Sequence, residues 1–240
     1  MTPLQGFSKD LFLNQQVVIT GAAGGIGRAI AAAFAECGAR LVQIDLPEAI
    51  PPNQSGWIGC DLEDRPVLMR AAEQIKGPVA VLINCAGIFR RMAVTEPDAE
   101  TEWDRTLAVN LTAPYLLARA LIPKLTGGAI VNVTSVRAET SAERASAYTV
   151  SKAGLAALTL SLADELAPLQ IRTNSVAPGD VDTAMGHGDP SVAATLVART
   201  PLKRMARPEE VAAACVFLAS PLASHITGST LHVDGGFLVV

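Results

Sequence analysis

Short, uninterrupted apolar runs alternate along this chain with longer stretches in which apolar positions recur every three or four residues. The runs are Gln16 to Thr20, Arg40 to Asp45, Gly56 to Cys60, Val79 to Asn84, Ala129 to Ser135, Ile171 to Ala177 and a last one near Thr230 to Val233. Helical periodicity covers Ile26 to Cys37, Arg65 to Ile75, Glu100 to Leu121, Ser146 to Leu166 and Pro208 to Ala219. Val-Val-Ile-Thr, Val-Leu-Ile-Asn and Ala-Ile-Val-Asn-Val lack the in-out alternation of a strand with one wet face, so these strands are expected to be covered on both sides. The rhythm predicts an α/β Rossmann fold: a seven-stranded parallel, doubly wound sheet with helices on both faces. Residues 179–205 carry Pro190, Pro201 and three glycines and predict an irregular stretch, with a flexible substrate loop over about 180–205.

The chain has 240 residues, half of them apolar and 18% charged. That is enough for one large core, and the expectation is a single domain over residues 1–240. A net charge of -4 without any Lys/Arg run argues against nucleic acid and against anionic membranes, leaving a small molecule as the expected partner. The N-terminal residues show no basic segment followed by an apolar one, and no apolar stretch approaches the ~20 residues of a membrane span. A soluble, cytoplasmic protein is expected. Cys37, Cys60, Cys85 and Cys215 are scattered through apolar segments without Cys-x-x-Cys spacing, which suits reduced thiols and predicts no metal site. His187, His225 and His232 show no triad or metal spacing, and Trp57 and Trp103 read as packing anchors.

The first strand ends in Thr20-Gly21-Ala22-Ala23-Gly24-Gly25-Ile26-Gly27 and runs into an alanine-rich helix. Such a turn offers a diphosphate close backbone approach and the free N–H groups of a helix N-terminus. Gly21 suits the tight turn, Gly25 the approach of the diphosphate and Gly27 the packing of helix against strand. Asp45 ends the second strand, where a carboxylate accepts hydrogen bonds from ribose hydroxyls and repels a 2′-phosphate. NAD is therefore expected over NADP. Ala22, Ala23 and Leu46 supply no competing cation, and Arg28 is expected to face away at the helix start.

Further along, Tyr148 and Lys152 are four apart on a predicted helix, and Ser135 closes an apolar run. Residues i and i+4 share a helix face, so an ammonium beside a phenol would lower the Tyr pKa from about 10 and let it move protons near neutrality. Ser151, about 100° off that face, reads as structural.

Taken in order, Thr20-Gly-x-x-x-Gly-Ile-Gly27, Asp61-Leu62, Asn84-Cys85-Ala86-Gly87, Asn110, Ser135, Tyr148-x-x-x-Lys152 and Pro178-Gly179 resemble the short-chain dehydrogenase/reductase family over nearly the whole length. The resemblance implies hydride transfer between a nicotinamide and an alcohol or carbonyl carbon. It makes Tyr148 the acid/base, Ser135 a donor to the substrate oxygen, Lys152 both a modulator of Tyr148 and a holder of the nicotinamide ribose, and Asn110 the residue that shapes a helix and positions a relay water. It also implies that Asp61 and Leu62 bracket the adenine. Asn84, Ala86 and Gly87, with Ile26 in the turn, would complete the cofactor wall, and Pro178, Gly179, Val181 and Thr183 would meet the nicotinamide. Cys85 departs from the family's usual second asparagine and reads as a small apolar replacement. A homotetramer built through long helices and the apolar C-terminus is implied as well.

Arginines recur where the substrate is expected: Arg90, Arg91, Arg137, Arg144 and Arg199. Arg137 or Arg144 is expected to grip a substrate carboxylate or another electron-rich group in bidentate fashion. Several segments resemble bacterial dehydrogenases of cyclic diols and sugars, and the substrate class expected is a small cyclic diol, sugar or hydroxy acid. Two alternatives stand: a 3-oxoacyl-carrier-protein reductase-like ketoreductase, and an NAD-binding sensor without turnover.

Overall fold

The computed structural model describes residues 6–183 and 190–239. Seven strands form one sheet in the order β3-β2-β1-β4-β5-β6-β7, and every neighbouring pair is parallel. They are β1 (Gln16–Thr20), β2 (Arg40–Asp45), β3 (Trp57–Gly59), β4 (Val81–Asn84), β5 (Ala129–Val133), β6 (Arg172–Pro178) and β7 (Thr230–Val233). The helices are α1 (Gly25–Glu36), α2 (Arg65–Gln74), α3 (Ala99–Leu107), α4 (Ala113–Leu125), α5 (Ser146–Leu166), α6 (Pro190–Arg199) and α7 (Pro208–Ala219).

The continuous apolar runs are explained by two cores, one on each face of the sheet. Val17 and Ile19 of β1, Val81 and Ile83 of β4 and Val131 and Val133 of β5 join Ile30 and Phe34 of α1 and Val211 and Val216 of α7 on one side. The intervening Val18, Leu82 and Ile130 turn to the other side, against Leu68 of α2, Leu117 and Leu121 of α4 and Leu162 of α5. Successive residues of the central strands thus serve opposite cores, and β4 and β5 are buried at every position. Alanines at 31 and 33 keep α1 slim where it packs on the sheet and on α7.

Two elements differ from the sequence-based expectation. The helix expected over Glu100 to Leu121 is interrupted by a π-turn at Ala108–Thr112, closed by a bond from the Ala113 N–H to the Ala108 carbonyl. A π-turn is seldom visible as sequence periodicity, and it often marks a functional residue. The segment expected to be irregular contains α6, whose start places Pro190 in the first turn; proline's fixed φ is already helical there, and the lost N–H would have been unpaired. Residues 184–189, the centre of the expected loop, and His187 with them, lie outside the described residues. No helix among those described is long and apolar enough to cross a membrane.

Candidate active site

The strand order reverses between β1 and β4, and a crevice opens where their carboxyl ends lie side by side. Thr20 is level with Asn84 and Asn84 with Asn132. The Thr20 hydroxyl accepts from the N–H groups of Cys85 and Ala86, both at 3.2 Å, and so ties the two strand ends together. Gly21 has φ +68°, and a Cβ there would lie 2.6 Å from the Ala86 Cα, so only glycine lets the two loops touch. At Gly27 a Cβ would overlap the Gly21 carbonyl. That glycine serves the closure of the turn itself, more than the helix-to-strand packing expected of it. The nearest atom to a Cβ at Gly25 would be the Thr183 methyl, which brings the segment after β6 over the glycine turn.

Asp45 sits at the mouth of this turn. One carboxylate oxygen accepts from the Ala23 N–H and the other from the Leu46 N–H, each at 2.8 Å. A carboxylate has about four lone-pair sites, so two remain for a ligand. Arg28 is exposed and does not line the cavity that joins this turn to the rest of the crevice. Its Nε donates to the Ala23 carbonyl at 2.6 Å, because the short path back to that carbonyl satisfies both groups.

At the other end of the crevice, β5 and α5 bring the catalytic candidates together. Ser135, buried after β5, caps a short 3-10 turn through the Arg137 N–H and hydrogen-bonds the Tyr148 phenol. Lys152 is 4% exposed, and its Nζ donates to the Val133 carbonyl at 2.8 Å and lies 5.8 Å from the Tyr148 ring centroid. Desolvation pulls the Lys152 pKa down to about 8. The Tyr148 pKa is not lowered, as expected, but raised. The ring opens partly to the crevice, yet burial of the phenol outweighs the hydrogen bond from Ser135 and the charge of Arg137, and Asp180 adds to the rise. Lys152 is not among the influences on Tyr148. Its ammonium is directed to a strand carbonyl.

One cavity of about 740 Å³ joins the two ends. Of the sequence-predicted residues it is lined by Gly21, Gly25, Ile26, Gly27, Asp45, Asp61, Leu62, Ala86, Gly87, Ser135, Arg137, Tyr148, Lys152, Pro178, Gly179, Val181 and Thr183. Three predicted residues lie elsewhere. Asn84 is below the floor, its amide donating to Asn132 at 2.8 Å, and Asn132 in turn donates to Thr159. Asn110, inside the π-turn, clamps Ile88 by accepting from its N–H at 2.8 Å and donating to its carbonyl at 3.0 Å. Arg144 is ion-paired with Glu96 on the surface and does not line the cavity. As a substrate-gripping residue it is set aside, because its charge is already satisfied.

Comparison with known proteins identifies the family. A family model described as enoyl-(acyl carrier protein) reductase matches residues 21–238. The cis-4-hydroxycyclohexanecarboxylate dehydrogenase of Sinomonas cyclohexanicum is 38% identical, over 96% of this chain and 99% of that protein. This chain belongs to the short-chain dehydrogenase/reductase family. An uncharacterized short-chain type dehydrogenase/reductase of Sinorhizobium fredii is 42% identical over 93% of the chain, which spans 44% of that longer protein. Among solved structures, a putative NAD(P)-dependent gluconate 5-dehydrogenase from Beutenbergia cavernae, with bound NADP at low occupancy, superposes with a TM-score of 0.90 at 33% identity, covering 97% of this chain and all of that one.

Phe89 and Asp180 of this site were missed in the sequence, and the contacts of Arg91, Ser151 and Cys85 were not visible there. Phe89 packs edge-on against Tyr148, ring centroids 4.8 Å apart, and Arg91 lies over Phe89 at 5.7 Å. Ser151 is fully buried, accepts from the Asn110 amide at 3.0 Å and donates to the Tyr148 carbonyl at 2.7 Å; it links Asn110 to the start of α5. Asp180 lines the cavity beside Arg137, its pKa raised by burial. The motif Pro178-Gly-Asp-Val displays Asp180, but nothing in its spacing tells which of its side chains turns inward. Cys85 lines the cavity behind Lys152, and burial pushes its thiol up to about 12, consistent with an inert apolar stand-in.

Proposed function

We propose that this chain is an NAD-linked oxidoreductase interconverting a secondary alcohol and a ketone, with Tyr148 as its acid/base. The observation that carries the reading is the single cavity with the Gly21–Gly27 turn and Asp45 at one end and Ser135, Tyr148 and Lys152 at the other. The turn fits a dinucleotide, since positions 21 and 27 admit no side chain and the N-terminus of α1 opens into the cavity. The pyrophosphate would lie along residues 24–27, the adenosine between Asp45 and Asp61-Leu62, and the nicotinamide near Pro178, Gly179, Val181 and Thr183. When bound, that group supplies or accepts the hydride.

The chain's own residues handle the oxygen. Ser135 and Tyr148 adjoin each other, and each hydroxyl can turn its proton from its present partner to an oxygen that gains negative charge as a ketone is reduced. The raised Tyr148 pKa keeps the phenol protonated at neutral pH, which suits proton donation in the reductive direction. Oxidation of an alcohol requires the phenolate, toward which Ser135 and Arg137 push. The relatives named for alcohol dehydrogenation and the family model named for a reductase are both compatible with this chemistry. Asn110 and Ser151 hold Ile88 and the first turn of α5 in place around it.

The preference for NAD rests on Asp45. A 2′-phosphate brought to about 4 Å of its carboxylate meets a repulsion on the order of 4 kcal/mol at an effective dielectric of 20. Initial rates followed at 340 nm with each cofactor test this. The expected kcat/KM favours NAD by at least tenfold, and Asp45→Asn, which keeps an acceptor for Ala23 and drops the charge, shifts the ratio toward NADP. A native preference for NADP would overturn the assignment. Absence of turnover with any alcohol or ketone would favour the sensor. A cytoplasmic homotetramer is the proposed assembly. Tyr115 on α4 and Val150 and Leu160 on α5 expose apolar surface, and light scattering should return four times the 24.9 kDa of one chain.

A further inference from the structure

Among the described residues three arginines line the cavity: Arg91, Arg105 and Arg137. Arg105 is paired with Glu63 at 3.1 Å, at the end proposed for adenine. Arg91 and Arg137 make no ion pair within 4 Å among the described residues, and both belong to the end that holds Tyr148. Arg91 reaches Tyr148 through Phe89 in two steps, 5.7 Å from guanidinium to ring and 4.8 Å from ring to ring. Arg137 is braced rather than neutralised. Its Nη1 donates to the Thr140 hydroxyl at 3.4 Å and the Ser141 carbonyl at 3.0 Å, and its guanidinium lies 5.2 Å from the Phe237 centroid. The Nε and Nη2 edge makes no hydrogen bond among the described residues. That edge is one of the two a guanidinium uses to hold a carboxylate bidentately.

Much of that wall is apolar, with Phe89, Val136 and Leu196 among its residues. Among the described residues the one carboxylate on it is Asp180, so these residues set two guanidinium charges against one acid at the end facing Tyr148. A polyol placed here would set several hydroxyls against hydrocarbon, and a buried hydroxyl without a partner is unfavourable. A substrate with an apolar carbon frame and one anionic group would leave none unpaired.

We propose that Arg137, with Arg91, holds the carboxylate of a substrate whose secondary alcohol or ketone carbon lies on an apolar, ring-sized frame facing Tyr148. The substrate class is thus an alicyclic or similarly apolar hydroxy acid or its keto acid, and polyols are disfavoured. This assignment rests on the dehydrogenase reading above, and its test separates the two. Turnover of 4-hydroxycyclohexanecarboxylate, cyclohexanol and D-threitol is compared with NAD and with NADP. Binding of cyclohexanecarboxylate, which has no reacting hydroxyl, is measured separately by calorimetry.

The expected result is a kcat/KM for the acid at least tenfold above that for either neutral alcohol. Arg137→Gln should lower that acid-to-cyclohexanol ratio by tenfold or more and weaken cyclohexanecarboxylate binding to match. Arg137→Lys, which keeps the charge and loses the bidentate edge, should fall between, and it preserves the test if the glutamine variant does not fold. Arg91→Gln should produce a smaller loss in the same direction. Equal use of the three alcohols, or carboxylate binding unchanged in both Arg137 variants, would overturn the carboxylate assignment and leave the dehydrogenase reading intact. No turnover of any of them with either cofactor, together with measurable carboxylate binding that Arg137→Gln abolishes, would overturn the enzyme reading and uphold the anion site.

Discussion

Replacing Lys152 by methionine should, at neutral pH, cost the protein little or no stability. Lys152 is 4% exposed, and burial holds its pKa near 8 against the ordinary 10.5. A difference of that size corresponds to about 3 kcal/mol of penalty for keeping the ammonium charged inside the fold. Methionine keeps the unbranched stem and removes the charge. Against this relief stands the Val133 carbonyl, which loses its donor at 2.8 Å, a loss of about 1–3 kcal/mol. The two nearly cancel at pH 7, so pH is the informative variable. Between about 8 and 10.5 the unfolded lysine still holds its proton while the buried one has released it, so the unfolded state binds more protons and wild-type stability rises with pH. Below about 8 both are charged and the penalty is complete. Urea unfolding of both proteins at intervals from pH 7 to 10.5 should therefore show the stability of K152M relative to wild type falling by about 3 kcal/mol, with the other titrating groups cancelling in the difference. A difference that stays constant across that range would refute the argument, since it would mean that Lys152 carries no burial penalty.

Two further outcomes follow from the packing of the site. Ser151→Ala removes the hydroxyl shared by the Asn110 amide and the Tyr148 carbonyl; a destabilisation of about 1–3 kcal/mol is expected, and a double-mutant cycle with Asn110→Ala in chemical unfolding should show a coupling of at least 0.5 kcal/mol. Gly27→Ala forces a Cβ into the Gly21 carbonyl and should weaken dinucleotide binding at least tenfold by fluorescence titration, with the opened turn as the cause; unaltered affinity would contradict the closed-turn geometry.

Much of the fold was legible because its determinants are local. Val17 to Thr20, Val81 to Asn84 and Ala129 to Val133 are apolar at every step because each residue serves one core or the other, and that pattern is visible without coordinates. The glycine turn and the Tyr148–Lys152 spacing are equally local. The π-turn at Ala108–Thr112 was not legible, since one extra residue in a helical turn hardly alters the apolar period. Helix α6 was hidden by the prolines around it, one of which occupies a position that favours a helix start.

The sequence by itself determined the alternation of strands and helices, the glycine turn and the Tyr148–Lys152 pair, because each rests on residues within a few positions of one another. Tertiary structure decided what those residues experience. Burial raised the Tyr148 pKa where a neighbouring ammonium had been expected to lower it, and it turned the Lys152 charge toward a strand carbonyl. It also sorted the arginines, pairing Arg144 with Glu96 on the surface and leaving Arg137 and Arg91 in the cavity. Solvent exclusion and charge pairing depend on which distant segments meet, and no spacing along the chain records that.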